Sequence, residues 1–385
     1  MMKNNIVVIP FNLPWEWSTD YTNQTAFVLS KKNIVICYMA HEANSIKESL
    51  KKGKLPSLIR KISQNIYIFE PIYVIPFRRF NMITKLNSFL NILLLKLFIL
   101  LLKIRIKTNK KIVWIFDPDL YHICQALGKS FYVVYDCVDY FAAAHPKRKR
   151  ELLRKEKLLL ARVDLIVAIS KVLQRHLSKM TTKKVHLVPQ GFRIKDFEKI
   201  APSYRNIKRG KPIIGFAGGV NSRIDYNFLL KLVKRNPNWD FVVWGPLLEK
   251  EKFDKYTQKK FEELLITPNV ITGKVEKREQ IPGILTQFDV AMIPYDSSQD
   301  FNKYCYPMKI FEFFYLGKPV VSTYIEELQR FPDYVKISDS VYQWEKIIND
   351  YLSKPWPINY QKGQRKLAEQ NSWEKKIGTI AEFVF

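Results

Sequence analysis

The sequence predicts an α/β fold that is made of two doubly wound, Rossmann-like domains. The chain has 385 residues, more than one hydrophobic core usually organises. Short apolar runs, typical of strands buried on both faces of a parallel sheet, alternate with helical stretches along the chain. A polar, basic segment at 196–211, closed by Gly210 and Pro212, separates two series of strands. Ligands bind such sheets at the carboxyl ends of the strands, so we expect the two domains to face a cleft.

Each predicted element rests on a short apolar run or on helical spacing of apolar residues. The first series of strands is 6–9, 34–38, 66–69, 112–116, 132–135, 165–169 and 185–188, and the second is 213–217, 241–244, 270–272, 290–293 and 320–322. The predicted helices include 83–104, 147–163, 227–235, 251–265, 279–287 and 308–316. We therefore predict domains at 1–200 and 201–360, followed by a helix at 361–385 that packs back toward the N-terminal domain.

Composition and charge limit the classes of protein to which this chain can belong. With 47% apolar and 14% aromatic residues, the chain is not of the disordered type. The net charge is +27, and residues 1–200 hold 35 lysines and arginines against 14 acids. This field favours an anionic partner, such as a membrane surface, a nucleic acid or a phosphorylated substrate, although a lysine-rich composition explains part of it. Since no recognised nucleic-acid-binding module accompanies the charge, no nucleic-acid partner is expected.

The cysteines and the N-terminus indicate the compartment. The four cysteines are scattered and lack metal-ligand spacing, which argues against zinc or a disulfide framework and suits a reducing cytoplasm. No secretory leader is expected, because a short strand-like run follows Met1 and Lys3 closely. The pair Asp117 and Asp119 has the letters of a metal-binding motif, but we interpret it as a turn at a strand end. No metal or cofactor is expected.

One long apolar stretch runs from Phe89 to Ile104. Its sixteen residues contain Asn91 and Lys96 and fall short of the ~18–20 that a bilayer-spanning helix needs. Lysines and arginines flank it on both sides, which is typical of a helix that lies in the membrane interface. A helix buried in the core of the N-terminal domain is the equal alternative. The basic run at 147–157, on a predicted amphipathic helix, adds weight to an anionic membrane surface.

The strongest motif is PMKIFEFFYLGKPVVST at 307–323. It predicts a helix that begins near Pro307, ends at Gly317 and is followed at once by a buried strand. Lys309 and Glu312 lie three residues apart and therefore share one face of that helix. A cation near a helix N-terminus favours phosphates, and a carboxylate one turn later can accept both ribose hydroxyls. An ordinary surface ion pair is the alternative.

This motif resembles the nucleotide-sugar motif of GT-B glycosyltransferases, above all bacterial cell-surface polysaccharide enzymes of the teichuronic-acid and xanthan-glucuronosyltransferase type. Other segments agree with that family in order and spacing. They are IIGFAGG at 213–219, VWGP at 243–246, FDVAMIP at 288–294, DLIVAIS at 164–170 and VPQG at 188–191. The likeness covers roughly 130–325 well and the first 120 residues weakly. It implies the GT-B fold and transfer of a sugar from a nucleotide diphosphate, with UDP favoured.

The resemblance also implies roles for residues of the donor domain. Glu312 corresponds to the acid that binds the ribose, while Lys309 and Met308 contact the diphosphate or the sugar. Gly218 and Gly219 let the backbone approach the phosphates. The family's usual arginine is replaced by Gly219, so Arg223 is expected to supply that cation. The family's second acid, eight positions before Glu312, is Tyr304, which weakens any assignment of retaining chemistry.

The candidate acceptor side lies after two predicted strands of the first domain. By the resemblance, Asp139 is the base that deprotonates the acceptor hydroxyl in an inverting transfer, although a turn-forming role suits it equally. Asp136 is expected to orient the loop by accepting backbone N–H bonds, and His145 is a competing base. Trp15 could stack on a sugar or pack within its loop. The remaining candidates near the first strand are Glu16 and Asp20.

The favoured interpretation is a cytoplasmic transferase that is peripherally bound to the inner face of the plasma membrane. It would use a nucleotide-sugar and a lipid-linked or glycan acceptor. The alternatives are a non-catalytic GT-B module that binds a membrane or a partner, and a hydrolysing nucleotide-sugar epimerase on the same fold.

Overall fold

The computed structural model describes residues 5–13, 15, 21–40, 44–45, 58–75, 80–105, 108, 110–198, 210–247, 253–274 and 278–385. The chain divides into two compact units, and each is treated by itself below. Unit 1 comprises Met1–Val188 together with Lys376–Phe385, and unit 2 comprises Pro189–Lys375. The division falls at Val188, before the basic segment at 196–211 where the sequence placed it. Most of that segment lies outside the described residues.

Unit 1 is built around an eight-stranded sheet with the order β10-β9-β8-β7-β1-β2-β5-β4. Its strands are β1 (Ile6–Phe11), β2 (Ile34–Met39), β4 (Ile59–Ser63), β5 (Ile66–Phe69), β7 (Lys111–Ile115), β8 (Tyr132–Cys137), β9 (Leu165–Ala168) and β10 (Val185–Leu187), while β3 (Asn44–Ser45) and β6 (Ile72–Tyr73) form a separate pair. Its helices are α1 (Tyr21–Ser30), α2 (Asn81–Arg105), α3 (Tyr121–Leu127), α4 (Phe141–Ala144), α5 (Lys149–Arg162) and α6 (Lys171–Ser178). All seven strands that the sequence predicts here are confirmed. The pairing is parallel except between β4 and β5.

Unit 2 contains a six-stranded parallel sheet with the order β13-β12-β11-β14-β15-β16. The strands are β11 (Ile213–Ala217), β12 (Asp240–Trp244), β13 (Val270–Gly273), β14 (Val290–Ile293), β15 (Val320–Ser322) and β16 (Val335–Ile337). The helices are α7 (Lys195–Glu198), α8 (Tyr226–Arg235), α9 (Lys255–Leu265), α10 (Ile281–Leu285), α11 (Asp300–Lys303), α12 (Lys309–Tyr315), α13 (Val341–Leu352) and α14 (Ile358–Gln370). The final helix, α15 (Trp373–Val384), begins in this unit, and its residues from Lys376 onward belong to unit 1.

The strand order of unit 2 fixes where its chemistry lies. The chain moves outward from β11 through β12 and β13, then returns to β14 on the other side of β11. The switch point of this sheet is therefore at the carboxyl ends of β11 and β14, where open α/β sheets bind their ligands. Gly218 follows β11, and Tyr295 follows β14 by two residues.

The prediction of a single C-terminal helix over 361–385 is wrong. Two helices, α14 and α15, occupy this segment, and the break lies at Asn371 and Ser372. The Asn371 side chain donates to the Leu367 carbonyl at 2.7 Å, and the Ser372 hydroxyl accepts the Lys375 N–H at 3.2 Å. Asparagine and serine compete with a helix for its own backbone groups, so they end one helix here and cap the next.

Helix α2 has one face packed on unit 1 and one face exposed. The buried side includes Asn91, whose side chain exchanges two hydrogen bonds with the backbone of Ile72 at 2.8 and 2.9 Å. Eight large apolar side chains on the described part of the other side are each more than 40% exposed: Met82, Leu86, Phe89, Leu93, Leu97, Leu100, Leu101 and Ile104. The alternative of a helix buried wholly in the core is therefore wrong. The segment Met82–Ile104, at 23 residues, is long and apolar enough to cross a membrane, and 33% of an 18-residue apolar window within it is buried in the protein.

The basic run at 147–157 is partly neutralised by ion pairs. Arg148 forms a bidentate ion pair with Asp119, in which both N–O distances are 2.9 Å, and it also pairs with Glu151 at 3.0 Å. Lys155 pairs with the same two carboxylates. These two cations stabilise α5 against the turn before α3, which reduces the charge that this helix offers to a membrane.

Candidate active site

Two glycines give the backbone no side chain at the switch point of unit 2. Gly218 has φ +139° and Gly245 has φ +153°, which side chains rarely adopt. The Gly218 N–H donates to the Trp244 carbonyl at 2.9 Å, and a Cβ atom on Gly245 would lie 1.9 Å from the Gly218 carbonyl oxygen. The turns after β11 and β12 are thus joined so closely that glycine is required. Gly219 continues this turn, as the sequence predicts.

Replacing Gly245 with alanine should therefore disrupt the turn. The unfavourable φ and the collision with backbone should lower the free energy of unfolding by about 2 kcal/mol or more. Gly378→Ala is the matched control, because Gly378 lies inside α15 and a Cβ atom there meets nothing within 4 Å. That change should stabilise the protein by about 0.5–1 kcal/mol. Urea denaturation measures both, and equal effects would contradict the close approach of the two turns.

Lys309 lies directly against the glycine turn. It is the first residue of α12, and its Nζ donates to the Tyr295 hydroxyl at 2.9 Å. The same ammonium lies 3.7 Å from the centre of the Phe216 ring and 4.9 Å from that of Tyr295. A Cβ atom on Gly218 would approach this Nζ to 2.9 Å, so a side chain there would displace the lysine head group. Burial lowers the pKa of Lys309, which the Tyr295 hydroxyl partly offsets.

Arg223 supplies a second cation beside the same aromatic ring. Its guanidinium contacts the rings of Tyr295 and Phe301, at 4.5 and 4.7 Å from their centres. The Arg223 Nε donates to the buried Asn302 side chain at 2.8 Å, and Asn302 donates back to the Arg223 carbonyl at 3.0 Å. Two fixed cations share Tyr295, and this arrangement suits an anion such as a diphosphate. The sequence pointed to Arg223 and Lys309 but not to Tyr295 or Asn302.

Glu312 lies three residues after Lys309 in α12, and it is held by an arginine that the sequence did not point to. Arg278 donates to a Glu312 carboxylate oxygen at 3.2 Å and to Asp196 at 2.8 Å. Asp196 is also paired with Arg193 at 2.9 Å. The Glu312 side chain is 12% exposed, so this ion pair orients a nearly buried carboxylate and compensates its charge. Arg278 opens a short 3₁₀ turn, and no periodic pattern marks it in the sequence.

The other predicted donor residues have less direct support. Met308 is half-buried and immediately precedes α12. Tyr304, at the position of the family's second acid, follows the short helix α11, and its phenol offers no carboxylate there. The structure thus places Gly218, Arg223, Lys309 and Glu312 around one end of the unit 2 sheet.

The candidate base lies in unit 1. Asp139 comes two residues after β8, is half-buried, and its backbone carbonyl accepts from the Cys137 thiol at 3.5 Å. Asp136 does not bind the loop backbone as expected. Its side chain is fully buried, and one carboxylate oxygen accepts from Lys376 Nζ at 3.1 Å. The other oxygen is buried and has no hydrogen-bond partner among the described residues. Lys376 comes from the last helix of the chain, so sequence proximity gave no signal for it.

Replacing Lys376 with methionine should strongly destabilise the protein. The Lys376 and Asp136 side chains are 1% and 0% exposed, so the change leaves a buried carboxylate without its counter-ion. Losing one partner of such a pair costs about 3–5 kcal/mol. Lys375→Met, at the exposed neighbouring position, is the matched control and should change little. If thermal denaturation gives the two variants the same stability, the buried ion pair contributes nothing.

The remaining acceptor-side candidates divide into three groups. Trp15 is only 7% exposed and packs edge-on against Phe27 at 5.7 Å, so of its two alternatives the structure favours packing over stacking on a sugar. The indole ring packs beside α1 and is shielded from water there. His145 is exposed, between α4 and the following turn. The candidates Glu16 and Asp20 lie outside the described residues.

The two aspartates with a metal-like spacing have other partners. Asp117 accepts the Asp119 N–H at 2.8 Å and the Asn12 side chain at 2.9 Å, and so caps the turn after β7. Asp119 pairs with Arg148 and Lys155, as described above. This agrees with the interpretation as a strand-end turn. No group of metal-binding side chains occurs in the part of the chain that the structure describes.

Two Rossmann-like units, one with a glycine turn and paired cations at its switch point, define a protein of the GT-B fold. Comparison with solved structures agrees. Sucrose-phosphate synthase from Thermosynechococcus elongatus aligns with a TM-score of 0.74 at 14% identity, over 99% of this chain and 98% of that one. Anabaena Alr3699/HepE, solved in complex with UDP, aligns with a TM-score of 0.65 at 12% identity, over 99% of both chains. At such identities the likeness shows the fold.

Sequence comparison provides a more specific relative. Over 258 residues the chain is 30% identical to TuaH of Bacillus subtilis (strain 168), a glycosyltransferase named for teichuronic acid biosynthesis. The alignment covers 63% of this chain and 60% of TuaH, which is less than two thirds of that relative's length. No protein-family model matches the sequence. The predicted resemblance to GT-B glycosyltransferases of the teichuronic-acid kind is confirmed.

Proposed function

We propose that this protein is a glycosyltransferase that moves a sugar from a nucleotide diphosphate, UDP by preference, to a lipid-linked or polysaccharide acceptor at the membrane surface. The observation that carries the proposal is a pair of cations, Lys309 and Arg223, that both contact Tyr295, with Lys309 lying against the glycine turn at Gly218. Glu312 lies farther along the same helix, held by Arg278. The name of TuaH supports the glycosyltransferase activity, and the UDP complex of HepE supports the donor class.

The donor would bind by its charged and hydroxyl groups. The diphosphate takes the cations Lys309 and Arg223 and the backbone of the Gly218 turn, where a side chain would block its approach. The carboxylate of Glu312 accepts the ribose hydroxyls. When the bond between the sugar and the diphosphate breaks, negative charge grows on the leaving phosphate oxygen. Cations that are already fixed in place stabilise that charge without reorganisation, so the proposal includes no metal and no cofactor.

The acceptor would be activated in unit 1 by Asp139. In an inverting transfer, its carboxylate takes the proton of the acceptor hydroxyl as that oxygen attacks the anomeric carbon and the nucleoside diphosphate leaves. Asp136 is unsuited to this role, because it is fully buried and paired with Lys376. The tyrosine in place of the second acid also favours inversion. The anomeric configuration of the product, measured by NMR, tests this step directly.

The membrane would be met by the exposed face of α2. Lys85, Lys96 and Lys103 are spaced eleven and seven residues apart, so helical geometry places them along one border of the eight exposed apolar side chains. Such an apolar face with a cationic border suits the interface of an anionic bilayer. The opposite face packs on unit 1, which favours a helix that lies in the interface over one that crosses the membrane. We therefore propose that the protein lies at the inner face of the plasma membrane.

The experiment is transfer from a radiolabelled UDP-sugar into the lipid extract of a cell envelope. The proposal predicts label in the organic phase, dependent on the extract and lost in Glu312→Ala. Release of UDP and free sugar without any extract would instead indicate the hydrolysing epimerase. If neither product forms with any nucleotide-sugar, and no label enters the polysaccharide of a whole envelope fraction, the protein is a non-catalytic module.

A further inference from the structure

A polar pocket in unit 1 lies apart from the candidate active site. It is a cavity of about 240 Å³ lined by Lys103, Thr108, Lys110, Lys111, Ser130 and Tyr132. Lys111 begins β7 and Tyr132 begins β8, so the pocket lies at the amino ends of these parallel strands. Asp117 and Asp139 follow the carboxyl ends of the same strands. The pocket is thus at the opposite edge of the sheet from the proposed chemistry.

The pocket brings three ammonium groups together without an acidic lining residue. Lys111 donates to the Ser130 hydroxyl at 2.8 Å, and Lys110 donates to the Val384 carbonyl at 2.7 Å. Burial, and then the nearby charges of Lys103 and Lys96, lower the pKa of Lys111. An anion among these groups would relieve their mutual repulsion.

One of the residues that line the pocket, Thr108, carries a buried hydroxyl group. The Thr108 Oγ1 atom is buried and has no hydrogen-bond partner among the described residues. Buried hydroxyls are normally paired, and each unpaired one needs an explanation. A phosphate oxygen bound between the lysines would be a suitable acceptor for this hydroxyl.

The position of the pocket indicates where such a phosphate comes from. Lys103 lies in the last turn of α2, next to the exposed side chains of Leu100 and Ile104. A helix that lies in a bilayer interface with its apolar face inward holds its flanking lysines near the lipid phosphates. The pocket therefore opens where the exposed face of α2 ends.

We propose that this pocket binds the headgroup phosphate of an anionic phospholipid, and so anchors the end of α2 at the membrane surface. Lys103, Lys110 and Lys111 would provide the charge, and Thr108 and Ser130 the hydroxyl contacts. The inference rests on the membrane docking proposed above and adds a defined lipid site to it. Donor binding in unit 2 does not depend on it.

The test is co-sedimentation with vesicles of phosphatidylcholine that contain phosphatidylglycerol, at fixed salt. The triple variant K103Q/K110Q/K111Q should bind about 100-fold more weakly, because each lysine near an anionic surface contributes severalfold to affinity. The matched control K255Q/K259Q/K346Q removes the same charge from exposed positions of unit 2 and should bind much more like wild type. Thr108→Val changes no charge and should still weaken binding about tenfold, since a hydrogen bond to a charged group is lost.

Thr108→Val separates a built site from diffuse attraction. If it binds these vesicles like wild type, or if the two triple variants weaken equally, the lipid site is wrong, although docking by α2 stands. A different outcome is that inorganic phosphate raises the melting temperature of wild type but not of Thr108→Val, while both proteins bind vesicles equally. In that case the ligand is a soluble phosphate and the lipid assignment fails. Stabilisation of each variant by UDP shows that the variant is folded. If UDP does not stabilise wild type either, that result counts against the proposed function and not against the lipid site.

Discussion

Replacing Lys309 with methionine should lower the rate of sugar transfer by about 100- to 1000-fold, the usual cost of losing one fixed donor to a developing negative charge. The methionine side chain keeps most of the volume of lysine, so the space beside Phe216 stays filled, although the hydrogen bond to the Tyr295 hydroxyl is lost. What disappears is the ammonium 3.7 Å from the Phe216 ring, at the point where the leaving diphosphate is expected. Because the charge grows during bond breaking, kcat should fall and not only KM rise.

Steady-state kinetics with the UDP-sugar measures this effect. Lys303→Met is the matched control, since Lys303 is exposed and pairs only weakly with Asp300, three residues away. Burial lowers the pKa of Lys309, so its ammonium group loses its proton earlier than that of an ordinary lysine as the pH rises. In wild type, the affinity for UDP should therefore begin to fall before the rising pH reaches ~10.4, the pKa of an ordinary lysine. If Lys309→Met transfers sugar as fast as Lys303→Met, the diphosphate does not bind here.

Replacing Asp139 with asparagine should lower kcat by about 100- to 10,000-fold, the range for removing a general base. The amide has nearly the same shape, but it cannot take the proton of the acceptor hydroxyl. Asp139 is half-buried after β8 in unit 1, while the donor residues are in unit 2, so the affinity for UDP should stay unchanged.

Both quantities are needed to interpret Asp139→Asn. Kinetics gives kcat, and calorimetry gives the dissociation constant of UDP. His145→Asn is the parallel variant, because this exposed histidine is the competing base in unit 1. Retention of transfer in Asp139→Asn together with its loss in His145→Asn would move the base to the histidine.

The sequence predicts the buried strands well, since a continuous apolar run leaves few alternatives for a strand covered on both faces. It misses β4 and β16, because Ile59–Ser63 is a partly exposed, antiparallel strand with polar residues and Val335–Ile337 has only three residues. The break between α14 and α15 was also missed. It depends on one asparagine and one serine, whose local hydrogen bonds override a helical pattern.

The same distinction holds for the candidate site. Gly218, Lys309 and Glu312 lie in motifs of fixed spacing, and their placement at one switch point follows from strand order. Tyr295, Asn302 and Arg278 carry no such spacing, because they act through contacts between loops far apart in the chain. Lys376 is the extreme case, since its partner Asp136 is 240 residues away. No periodicity or local motif predicts a contact of that kind.

The central claim is that unit 2 binds a nucleoside diphosphate through Glu312 and its neighbours. The most direct measurement is a thermal-shift titration with UDP, GDP, ADP, CDP and TDP on wild type, on Glu312→Ala and on the control Glu262→Ala, an exposed position of unit 2. A nucleotide at one hundred times its dissociation constant should stabilise the folded state by about 2.7 kcal/mol. We expect UDP to raise the melting temperature of wild type and of the control, and to leave Glu312→Ala unchanged. If no nucleotide stabilises wild type at millimolar concentration, or if Glu312→Ala responds as wild type does, the donor site is elsewhere or absent.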